Sequence, residues 1–121
     1  PVYISPELQR YHFCDIVCSS SKMHKLISMD MDNSFNKYVS TLSKEQMKQF
    51  IAKYNETPSY ENFMNVISNC PYGLELFMRC STNYKQLQTI YAQRKHHRLT
   101  EDWGAFCKFI EDLPYAKDLI L

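Results

Sequence analysis

The sequence predicts an α-rich α+β domain on three observations. Four segments carry apolar residues at helical spacing behind recognisable start signals, one segment alternates with a two-residue period, and 121 residues with 45% hydrophobic side chains suffice for one modest core. No repeat, low-complexity tract or Pro/Gly/Ser linker divides the chain, so 1–121 reads as a single domain. Val2–Ile4 and Phe13–Val17 are short strand candidates, Ser19–Ser28 is a short helix candidate with serines at its start, and Met29–Ser34 (MDMDNS) reads as a loop.

The first full helix is expected over Ser43–Asn55. Ser43 and Gln46 have capping-box spacing, and Met47, Phe50, Ile51 and Tyr54 share one face. A second helix takes Thr57 as its cap with Pro58 at the first position, and Tyr60, Phe63, Met64 and Ile67 as its apolar stripe; Pro71 and Gly73 stop it. Leu74, Leu76, Met78 and Cys80 then alternate with Glu75, Phe77 and Arg79, the period of a strand with one buried face. A third helix starts at Thr82 or Asn83, with Gln86 reaching back, buries Tyr84, Leu87, Ile90 and Tyr91, and runs out in Arg94–Arg98. The fourth takes Thr100 as cap, turns Trp103, Phe106, Cys107, Ile110 and Leu113 inward, and closes at Pro114. The result is about four helices with a small sheet, and a carboxyl half ordered strand, helix, turn, helix.

Composition narrows the function. Fourteen Lys/Arg against thirteen Asp/Glu leave +1, so the chain as a whole has little pull on extended nucleic acid or anionic lipid, and any anion attraction is local. No stretch is long and apolar enough to span a bilayer, and Pro1–Tyr11 lacks the pattern of a secretory signal. The expectation is therefore a cytoplasmic protein without membrane contact. Five cysteines without scaffold spacing read as reduced thiols. Two glycines leave no material for a dinucleotide or P-loop phosphate cradle. His12, Cys14, Cys18 and His24 lack the paired knuckles of a zinc site, so no metal is expected, and no nucleophile and base can be matched from sequence.

What remains are scattered cations. Arg94, Lys95, His96, His97 and Arg98 suit a helix carboxyl end, where the macrodipole favours them; the alternative use is an anion site, since a guanidinium grips phosphate through two hydrogen bonds. Ser19–Lys22 is either a capping cluster or, through Ser20 and Ser21, an anion-binding helix start. Arg10, Tyr11 and His12 place one cation beside two hydrogen-bonding rings.

Residues 79–113 (RCSTNYKQLQTIYAQRKHHRLTEDWGAFCKFIEDL) resemble small phage proteins that are themselves distantly similar to the carboxyl half of flavin-dependent thymidylate synthases. In that family a strand leads through T-x-N into a helix with an arginine near its end, and a second helix follows. Thr82, Asn83, Leu87 and Arg94 hold comparable places, and Gln9, Arg10 and Tyr11 resemble the end of a Q-S-x-R-Y stretch near the nucleotide phosphate. The R-H-R-x(7)-S and A-Q-x-E-I-R segments of the family are missing from this sequence. The resemblance therefore implies nucleotide binding in a homo-oligomer, with flavin chemistry only if the kinship extends further. The expected function is a non-catalytic phage-type protein that binds a nucleotide or other phosphate-bearing small molecule, as in sequestering a host-defence signal. Its site would draw on Arg10, Tyr11, Ser20, Ser21, Arg79, Asn83, Arg94 and Arg98. The alternatives are an inhibitor that binds a host protein through its many tyrosines, and a partial thymidylate synthase-like enzyme.

Overall fold

The computed structural model describes residues 1–11, 30 and 32–121, and the backbone of 15–19. The chain is mostly helical. Among the described residues there are six α-helices: α1 (Ser5–Leu8), α2 (Thr41–Glu56), α3 (Tyr60–Ser68), α4 (Tyr84–Arg94), α5 (Ala105–Glu111) and α6 (Ala116–Leu119). Two strands, β1 (Asp15–Ser19) and β2 (Met78–Ser81), neighbour each other as a two-stranded ribbon. That ribbon is what remains of the expected sheet, and it is too small to serve as a layer for helices. Contacts gather into two compact units, Pro1–Ser5 with Cys18–Met78 and Pro6–Val17 with Arg79–Leu121.

In the first unit, Val2–Ile4 forms a 3₁₀ turn instead of the expected strand, with Ile4 N donating to the Pro1 carbonyl at 3.1 Å. Pro6, two residues on, has no N–H for a ladder but is at home in a first helical turn, so the segment winds into α1. The helix expected over Ser19–Ser28 begins on the last residue of β1 and otherwise lies outside the described residues. Of the loop expected over Met29–Ser34, Met29 and Met31 lie outside the described residues; within the rest, the Asp30 carboxylate accepts from Asp32 N at 3.0 Å and Asn33 Nδ2 at 2.7 Å. The Asn33 amide in particular holds that carboxyl below the usual range.

Helix α2 starts at Ser40, three residues before the expected cap. Ser40 is extended and its hydroxyl accepts from Ser43 N at 3.1 Å, which leaves Ser43 already inside the helix. No breaker separates the two serines, so the first available oxygen caps. Thr57 does not cap α3. Proline at 58 steers the residue before it out of the helical region, so Thr57 closes α2 and its carbonyl accepts from Asn62 Nδ2 at 2.8 Å. The α3 cap is Ser59, accepting from Asn62 N. The buried face is turned accordingly. Asn62 and Val66 are buried and Phe63 and Ile67 partly so, whereas Tyr60 and Met64 of the expected stripe are exposed.

The core of this unit is Phe35, Met47, Val66 and Leu74. Phe35 and Leu74 form an antiparallel bridge, the regular ladder begins only at Met78, and the two-residue burial rhythm of 74–81 persists through the gap. Gly73 packs where a side chain could not. A Cβ there would sit 2.3 Å from Val39 Cγ2 and 2.7 Å from Asn36 Oδ1.

In the second unit α4 starts and is packed largely as expected, without the Gln86 side chain reaching back to the cap. Asn83 is the cap, its Oδ1 accepting from Gln86 N at 2.8 Å, and Leu87 and Ile90 are buried. Tyr84 and Tyr91 are half-buried and donate to the Pro114 carbonyl and to Glu111 Oε1. Asn83→Ala should cost about 1 kcal/mol and Thr82→Ala less than about 0.5 kcal/mol, read from chemical denaturation. An equal effect of the two would remove the cap assignment. Thr100 caps nothing through its side chain: a π turn over Thr100–Gly104 begins after Leu99, and α5 follows from it. The wide turn carries Trp103 inward, with Cys107 and Ile110 behind it, and burial pushes the Cys107 thiol up. Leu113 is only partly buried, past the end of α5, and Pro114 precedes Tyr115, whose positive φ of 60° redirects the chain into α6.

Candidate functional site

Among the described residues, several of the sequence-derived site residues meet in the second unit. Arg94, in the last turn of α4, lies with its guanidinium carbon 4.6 Å from the Trp103 ring centroid and 5.8 Å from that of Tyr11, within cation–π range of both. Its Nε donates to the Tyr11 hydroxyl at 3.0 Å, and its Nη1 lies 3.3 Å from Glu7 Oε2. The same carboxylate oxygen accepts from Trp103 Nε1. His97 stands near, Nε2 at 3.8 Å from Glu7 and Nδ1 accepting from Leu99 N at 3.1 Å. Local sequence sets the supports: α1 carries Glu7, the helical period of α4 turns Arg94 to the same side as Leu87 and Ile90, and the π turn delivers Trp103. Arg94 is thus engaged by an internal carboxylate and largely withdrawn from water, with 14% of its side chain exposed.

Beside this network opens a cleft of about 350 Å³ lined by Arg10, Tyr11, Gln86, Thr89, Gln93 and Arg94. The three α4 polar residues fall at i, i+3 and i+7, which is one face of a helix. Arg10 is exposed and makes no ion pair with a described residue. The negative end of the α4 dipole opposes an anion here. Attraction must therefore come from the two guanidinium groups, of which only Arg10 is not already paired.

The remaining expected site residues do not converge on this cleft. Arg79 is exposed on β2 and Arg98 exposed beyond α4, neither among the lining residues. The Asn83 side chain is occupied as the α4 cap. Ser20 and Ser21 lie outside the described residues. The Arg94–Arg98 run does not act as one patch, because Arg94 and His97 turn inward while Lys95, His96 and Arg98 face solvent. Among the described residues no group of three His, Cys, Asp or Glu could hold a metal ion; His12, Cys14 and His24 fall outside them.

Gln86, Thr89, Gln93, Glu7 and Trp103 were not anticipated as site residues. Gln86 and Gln93 carry a legible signal, since with Thr89 they form a polar stripe on a helix otherwise read by its apolar one. Glu7 carries none: it is 87 residues from Arg94, and nothing local marks it as a partner.

Comparison with protein-family models, with curated proteins and with solved structures finds no match for this chain. No described helix is long and apolar enough to cross a membrane.

Proposed function

We propose that this protein binds a small phosphate-bearing molecule of nucleotide size in the Arg10–Arg94 cleft and holds it without turning it over. The observation that carries the reading is that Arg10 and Arg94, far apart in sequence, line one polar concavity. Its volume lies at the lower end of the roughly 300–1,000 Å³ typical of small-molecule sites, which suits a single nucleotide better than a polymer. Guanidinium, phenol, hydroxyl and carboxamide groups line it, a set that grips and orients an oxyanion by hydrogen bonds. In a phage setting such binding would sequester a nucleotide signal.

Thermal melts with AMP, GMP, CMP, UMP, cyclic dinucleotides and inorganic phosphate test this. A ligand at 100 times its dissociation constant stabilises the folded chain by about 2.7 kcal/mol. Arg10→Ala should weaken binding about tenfold, the loss of one charged hydrogen-bond pair, while changing stability by less than about 0.5 kcal/mol because Arg10 is exposed. Arg79→Ala should change neither. Absence of a shift with every probe would defeat the reading.

A second reading, inhibition of a partner protein, is favoured by the first unit. Tyr60, Tyr72 and Phe77 are each at least 74% exposed there, and aromatic side chains of this kind anchor interfaces.

A further inference from the structure

Two linked hydrogen bonds run through the wall of the cleft, and the first has only one chemically allowed direction. A guanidinium has N–H groups and no acceptor, so the Tyr11 oxygen must be the acceptor of the 3.0 Å bond from Arg94 Nε. The phenolic hydrogen is in turn donated across 2.9 Å to the Gln93 amide oxygen. The chain Arg94→Tyr11→Gln93 holds the Gln93 amide with its oxygen toward Tyr11, an orientation that an isolated glutamine does not fix. With Oε1 engaged, Nε2 retains both of its N–H donors, with no hydrogen bond to a described residue.

One turn earlier on the same face, the Thr89 hydroxyl donates to the Lys85 carbonyl at 3.4 Å, which leaves its oxygen free to accept. The cleft is consequently polarised. Donors of Gln93 and Arg94 stand at one end, with Arg10 also in the lining, and the Thr89 acceptor stands about 6 Å along the helix axis, the rise of four residues.

We propose that Gln93 is a specificity-determining residue of this cleft: its Nε2 amide, oriented through Tyr11 by Arg94, donates to a ligand oxyanion while Thr89 accepts from a hydroxyl on the ligand body. The ligand class is a phosphate monoester of a hydroxyl-bearing body, and ligands presenting N–H donors to Gln93 are refused. This rests on the phosphate-binding reading above and adds to it the residue that selects. Tyr11 is a positioning residue.

Calorimetric titration of the full chain with inorganic phosphate and with AMP tests it, alongside Gln93→Glu, Gln93→Ala and Tyr11→Phe. Gln93→Glu keeps an acceptor for Tyr11 but replaces the two donors with a carboxylate oxygen, and affinity for both probes should fall at least about tenfold. Gln93→Ala should fall by about threefold to tenfold. Tyr11→Phe should weaken phosphate binding in the wild-type background and have no further effect in the Gln93→Ala background, whereas a merely structural role for Tyr11 would persist in both. AMP should bind more tightly than phosphate, and Thr89→Val should erase that difference. If wild type binds both probes and Arg10→Ala weakens them, yet the Gln93 variants bind as wild type does, the selecting role is overturned and the phosphate-binding reading stands. If wild type binds neither probe, both are overturned.

Discussion

Trp103→Ala should destabilise the unit built from Pro6–Val17 and Arg79–Leu121 by about 3–5 kcal/mol, the range for emptying an aromatic site in a core. Trp103 is 2% exposed, and its ring packs edge-on against Phe106 with centroids 5.9 Å apart. More than packing is lost. The indole N–H donates to Glu7, and the ring face supports the Arg94 guanidinium, so truncation leaves a partly buried ion pair with fewer partners on both sides. Trp103→Phe separates these contributions: it preserves most of the apolar area and removes the N–H, and should cost about 1–3 kcal/mol. Urea denaturation followed by far-ultraviolet circular dichroism measures both variants, since replacing the only tryptophan removes the fluorescence signal. A loss below about 1 kcal/mol for the alanine variant would show that Trp103 does not organise this network.

The second large effect is expected in the other unit. Leu74→Ala should cost about 2–5 kcal/mol, because the side chain has no solvent exposure and packs in one cluster with Phe35, Met47 and Val66. Little can move in to fill the space. The Leu74 backbone is held from two directions, its carbonyl accepting from Val2 N at 2.9 Å and its N–H donating to Pro71. Gly73 beside it leaves no room for the chain to slide toward Val39 and Asn36. Hydrogen exchange should show the amides of α2 and α3 opening more readily in this variant. Unchanged protection there would mean that the cavity collapses without cost.

Most helices were legible because their evidence is local. Met47, Phe50, Ile51 and Tyr54 repeat at helical spacing, and Asn83 precedes a matching stripe, so periodicity and cap chemistry both point to what is observed. The misplaced starts share a cause. Ser40, Ser43, Thr57 and Ser59 are all competent caps, and which hydroxyl is used depends on backbone direction at Ser40 and on the restriction that Pro58 places on Thr57. Val2–Ile4 failed as a strand because three apolar residues carry no period, and the proline that follows decided the outcome. The α3 stripe was turned because Tyr60, in the first turn, is apolar in composition but faces water.

For the candidate site the division is sharper. Arg10, Tyr11 and Arg94 were identifiable as hydrogen-bonding groups of the right kind, and they share one cleft; Arg79, Asn83 and Arg98 were equally plausible by residue type and do not line it. A cation's chemistry is visible in its letter, but its neighbours are not.

From the amino acids alone came the helical character, the buried faces of α2 and α4, the alternation across 74–81 and a stock of guanidinium and amide groups, because each depends on residues within a few positions of one another. Folding decided that Glu7 engages Arg94 across 87 positions, that Trp103 packs on the pair, and that Tyr11 donates to the Gln93 amide. Those are pairings between distant segments, set by which surfaces pack together, and no local period or cap records them.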